Sequence, residues 1–143
     1  MNTIRKFALL LGLGISAIAV AGEGSALDTR TDLKLTEPEA VEFLAEMRNM
    51  LASIQGIVMG IGTDDRELIV RSARQSGNRM ARNTPESVRK KLPQSFKALG
   101  GPTHLMFEEL AIRAETDDME ALAEFTGELL TQCLSCHSQF KVN

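Results

Sequence analysis

Apolar residues along this 143-residue chain recur every three to four positions. That is the period of helices buried along one face. No stretch alternates in the two-residue period of a strand. A first helix is expected to open at Thr36-Glu37-Pro38-Glu39. There Thr36 caps, Glu39 completes a capping box, and Pro38 is tolerated in the first turn. The helix runs to about Ile61, with Ala40, Leu44, Met47, Leu51, Ile54, Val58 and Ile61 as a heptad a/d stripe, and Gly60-Ile61-Gly62 ends it. Asp64 with Glu67 forms a second capping box and opens a helix to about Arg82. Its stripe is thin: Ile69, Ala73 and Met80 alternate with Ser72, Ser76 and Gly77. Small residues of this kind fit close helix packing, or leave room for something flat.

From Asn83 to Gly101 the pattern predicts a long connection. Thr84-Pro85-Glu86 starts a short helix, Pro93 restarts it, and Gly100-Gly101 breaks it. Pro102 then opens a third long helix to about Thr116, contributing Leu105, Met106, Leu110, Ile112 and Ala114. Asp117 and Asp118 separate it from a last helix, Met119 to Phe140, with Leu122, Thr126, Leu129, Cys133, Cys136 and Phe140 at heptad spacing. Asp28 to Lys34 reads as a polar, poorly ordered lead-in. The fold class expected is all-α, an antiparallel four-helix bundle.

Residues 1–26 carry the marks of a secretory signal peptide. Arg5 and Lys6 precede an apolar run from Phe7 to Val20, and small residues permit cleavage after Ala21 or after Ala26. The run is shorter than the ~20 residues that a spanning helix needs. The expectation is therefore an exported, periplasmic domain over residues 27–143 that does not span the membrane after cleavage. An uncleaved anchor is the competing reading.

Composition sharpens this picture in two places. Aromatic residues are scarce, six Phe with no Trp and no Tyr, so the core is aliphatic unless a cofactor supplies flat apolar bulk. A formal net charge of −3 argues against nucleic acid as a partner. Charge is also segregated: eight bases face one acid, Glu86, between Leu68 and Phe107, and eight acids face one base, Arg113, between Glu108 and Glu128. Such a dipolar surface can orient a charged partner or pair with the acidic groups of a cofactor. Neighbouring helix faces in weak mutual attraction would look the same.

The chemistry concentrates in Cys133-Leu134-Ser135-Cys136-His137, the attachment pattern of a c-type haem. On a helix, residues three apart share a face, so both thiols can reach the two vinyl groups of one porphyrin. His137 follows Cys133 by four and can reach the iron as proximal ligand. A disulfide, a redox dithiol and a zinc site compete for the same cysteines. Zinc would lack donors, because His104 is the only other histidine. No paired carboxylates and no nucleophile–base set point to an enzyme.

A haem motif at the C-terminal end of a helical chain resembles the class II cytochromes c, the cytochrome c-prime family. Phe140 and Lys141 after Cys133, Cys136 and His137 match that family's aromatic and basic positions. The resemblance covers the chain from about Thr36 onward. It implies a left-handed bundle with one covalent haem c between its helices, His137 as proximal ligand, and the first helix over the distal face. It also implies two kinds of member: low-spin electron carriers with a sixth Met ligand, and five-coordinate proteins that bind small gases such as nitric oxide. A homodimer through the first two helices is a third implication.

Among the methionines of the first helix, Met47 alone lies on the predicted stripe, with Met50 to one side and Met59 near the far end. Met47 is thus the candidate sixth ligand, and a core gap-filler is its ordinary alternative. His104 is expected in the first turn of the third helix, in a surface or capping role. The functional expectation is a c-type cytochrome, a periplasmic electron carrier working with redox partner proteins. Gas binding at an open iron is the alternative. A haem-free interaction module would leave the cysteine–histidine motif unexplained.

Overall fold

The computed structural model describes residues 28–143, so the expected export signal lies outside the described residues. The described chain is mostly helical. Its helices are α1 (Glu37–Thr63), α2 (Arg66–Gln75), α3 (Asn78–Asn83), α4 (Glu86–Lys91), α5 (Gln94–Arg113) and α6 (Met119–His137), with two short strands, β1 (Thr31–Asp32) and β2 (Phe140–Lys141). α1 packs on α2 and α6, and α5 packs on the same two helices.

α1 starts as expected. The Glu39 carboxylate accepts from the Thr36 N–H at 2.8 Å and from its hydroxyl at 2.9 Å. The helix does not stop at Gly60-Ile61-Gly62, however; it runs to Thr63, and Asp64 takes the left-handed conformation at φ 54°. Gly60 is there for close packing. A Cβ on it would lie 2.6 Å from Ile69 Cγ1 and 2.9 Å from the Asp65 carbonyl oxygen. The cap of α2 consequently falls on Asp65, which accepts from the Leu68 N–H at 2.9 Å, and not on Asp64.

The predicted stripe of α1 is half right. Ala40 and Ile54 are buried and Met47 is half-buried, but Leu44, Leu51 and Val58 are exposed. Their places inside are taken by Phe43, Met50 and Ile57. The two stripes share Ala40, Met47, Ile54 and Ile61, so periodicity alone does not choose between them. The choice is made by α2, whose Ser72 and Ile69 seat against Gly56 and Gly60 and turn that side of α1 inward.

Two further boundaries differ. The helix expected to reach Arg82 breaks at Ser76-Gly77, where Glu108 accepts from the Asn78 N–H at 2.9 Å. α5, by contrast, starts at Gln94 and continues through Gly100-Gly101-Pro102. It is held on both sides of the triplet, by Phe96 in contact with the Phe43 and Phe140 rings and by fully buried Phe107. The Thr103 hydroxyl also donates to the Leu99 carbonyl at 2.8 Å. Tertiary packing here overrides local propensity. Leu105 and Ile112, expected inside, are on the outer side of α5.

α6 follows the pattern closely. Asp118 caps it by accepting from the Ala121 N–H at 2.8 Å, and Leu122, Thr126 and Leu129 are buried. Phe140 is buried too, but in β2. The supposed lead-in is ordered: β1 pairs in parallel with β2, the Thr31 N–H donating to Gln139 O at 2.7 Å and the Leu33 N–H to Lys141 O at 3.0 Å. A ladder this short shows no alternation for a sequence to reveal.

The core lies in two clusters. One is built from Ile54, Ile57, Ile69, Phe107, Leu110, Leu122 and Leu129 with small residues between them. The other gathers Leu33, Phe43, Val88, Leu92 and Phe140. None of the described helices is long and apolar enough to cross a membrane.

Candidate functional site

Residues of both clusters line a cavity of about 440 Å³, within the range of roughly 300–1,000 Å³ typical of small-molecule sites. α6 contributes Leu130, Gln132, Cys133, Cys136 and His137. α1 contributes Phe43, Glu46, Met47, Met50, Leu51 and Ile54. Ala81, Thr84, Arg89 and Leu92 come from the α3–α4 region, and α5 adds Phe96, Lys97, Gly100, Gly101, Thr103 and His104. Rings close one end: Phe43 and Phe96 stand 5.8 Å apart between centroids, and Phe96 meets Phe140 edge-on at 5.3 Å.

The three residues of the motif therefore line one cavity. Cys133 and Cys136 are free and half-buried, whereas His137 is exposed. Burial pushes both thiols up, and the neighbouring Cys133 adds to the effect at Cys136. They also occupy the C-terminal end of α6, the negative end of the helix dipole, which disfavours a thiolate. A redox dithiol needs the opposite setting. The setting at the end of α6 disfavours dithiol exchange.

A strap holds this end of α6. Arg30 Nη1 donates to the His137 carbonyl at 3.3 Å. Asp28 binds Arg30 at 2.8 Å and lies 3.6 Å from Lys141. The Arg30 guanidinium holds the Asp28 carboxyl well below the usual carboxylate range.

Met47 lines the cavity, but so does Met50, and the reason for preferring Met47 has to change. Both lie on the buried face that the structure selects. What separates them is height along α1. Met47 packs against the cluster that also receives Cys136 and Phe96, whereas Met50 packs against the other cluster. Met47 is thus the methionine at the level of the motif. Met59 is 51% exposed and does not line the cavity.

His104 departs from expectation. It lies inside α5, half-buried, and lines the cavity. Its Nδ1 is 2.7 Å from the Ser76 carbonyl oxygen. A carbonyl only accepts, so Nδ1 carries the proton and donates, and the ring orientation is set. The Ser76 hydroxyl in turn pairs with that of Ser53 at 2.7 Å in the core.

Charged groups lie around the same space. Arg89 lines it while pairing with Glu86 at 3.2 Å, and Lys97 lines it as an exposed ammonium. Glu46 is the carboxylate on the lining; burial and then the nearby Glu42 push its carboxyl up.

Sequence reading named the cysteines, His137 and Met47. It missed the wall made by α4 and the first half of α5, because a connection was expected there.

The residues fit a haem. Two thiols and an imidazole share one wall, thioethers are offered by α1, the lining is mainly apolar, and cations are available for two propionates. No family model matches this chain, and no similar curated protein or solved structure was found.

Proposed function

We propose that this chain is an exported c-type cytochrome, a periplasmic electron carrier resembling the class II cytochromes c, folded as an antiparallel four-helix bundle of α1, α2, α5 and α6. The observation that carries the proposal is one cavity lined by Cys133, Cys136 and His137 from α6 and by Met47 from α1. One covalent haem c bound there supplies a one-electron Fe(III)/Fe(II) couple.

The residues have separate tasks. Cys133 and Cys136 are the residues that would hold the porphyrin on α6, through thioethers to its vinyl groups. His137 would ligate the iron, and the Arg30 contact to its carbonyl steadies the turn that carries it. Met47 would offer the iron a soft thioether from α1, a ligand that raises the potential. Leu92, Phe96, Ile54 and Phe43 would shield a bound haem from water, and the lower local dielectric would favour the less charged iron state. Arg89 and Lys97 are placed to partner the propionates, which gives part of the basic stretch between Leu68 and Phe107 a specific use.

The test is covalency. Full-length protein made with a haem-maturation system should keep its haem in acidified organic solvent, and the Cys133→Ser/Cys136→Ser variant should release it. Haem retained equally by both would contradict the thioether assignment.

A further inference from the structure

Resting on the haem reading above, we infer that the main chain of α5 at Gly100-Gly101 is the seat of the tetrapyrrole ring, and that Gly101 is a residue that positions it. Glycine inside a helix is unfavourable, and two in succession followed by Pro102 oppose helix more strongly still. Gly56 and Gly60, by contrast, have a visible protein cause. A Cβ at Gly60 would run into Ile69 and Asp65, and one at Gly56 into Ser72. At Gly101 a Cβ would meet nothing within 4 Å, although the residue lines the cavity. At Gly100 it would meet only the Phe96 ring, at 3.3 Å. Gly62 and Gly127 also have open space, but neither lines the cavity.

No protein atom thus requires the bare backbone at Gly101. A flat ring tethered to α6 and faced by Met47 on α1 does require it, because the ring must also fit against α5, which packs on α6. A side chain on this shelf would take up space that the ring uses.

The experiment compares Gly101→Ala and Gly101→Leu with wild type and with Ala98→Leu, an exposed α5 position off the cavity. Haem per chain is measured after production with the maturation system, and helicity by circular dichroism. Wild type and Ala98→Leu should load fully. Gly101→Leu should stay helical yet load about tenfold less, the effect of overpacking a filled site, with Gly101→Ala in between. Full loading of both Gly101 variants would overturn the inference. If Gly101→Leu loses its helicity, Gly101→Ala decides: reduced loading supports the seat, and unchanged loading overturns it. Wild type without covalent haem would instead remove the haem reading itself.

Discussion

The two ends of this molecule bury apolar surface in different ways. At one end Ile57, Ile69, Phe107, Leu110, Leu122 and Leu129 have no exposed surface, and α1 presses closely on α2 at Gly56 and Gly60. At the other end the enclosing parts are a two-residue ladder, the short helix α4 and three phenylalanine rings, and a cavity of about 440 Å³ lies beside them. The first end is closed by its own side chains. The second has the space and the donor groups for a guest. Stability is expected to come mainly from the first end and function from the second.

The glycines offer the sharpest way to break that contrast. Gly60→Ala puts a methyl against Ile69 and against backbone at Asp65, so it should destabilise the fold by about 1–3 kcal/mol despite the better helix propensity of alanine. Chemical denaturation measures this directly. If Gly60→Ala were neutral, close packing would not be what separates the closed end from the cavity end.

A smaller effect is expected from the ion pair that ties α4 to α1 at the cavity end. The Lys91 ammonium and the Thr36 N–H hold the Glu39 carboxyl at about 2, below its ordinary value of 4.5. A carboxyl whose folded value is depressed stabilises the fold above its ordinary value and loses that contribution as pH falls toward the folded value. The Tm advantage of wild type over Glu39→Gln should therefore be present at pH 7 and shrink between about pH 4.5 and 2. A gap that does not change over this window would show that the pair does not hold the cavity end.

The closed end was the more legible in sequence, for a physical reason. Helical periodicity records burial against other helices, so Leu122, Leu129, Ile54 and Leu110 were all placed correctly. It failed where two stripes overlap, putting Leu51 inside and leaving Met50 and Ile57 out, because the face of α1 is chosen by contacts with α2. At the cavity end the motif residues were singled out from chemistry alone, and they line the cavity. The surrounding wall was not, since Gly100-Gly101-Pro102 reads locally as a break and becomes helical only when both halves of α5 are packed. His104 was misjudged for the same reason, as a position at a helix start that lies within a longer helix. The β1 strap over the last turn of α6 gave no sequence signal at all.

The central claim is that one haem sits in this cavity between His137 and Met47. Its most direct test is the absorption spectrum of full-length protein made with a haem-maturation system, beside that of Met47→Ala. A low-spin spectrum in wild type that turns high-spin in Met47→Ala is the predicted result. A wild type that is already high-spin would contradict Met47 ligation and favour an open iron that binds small gases.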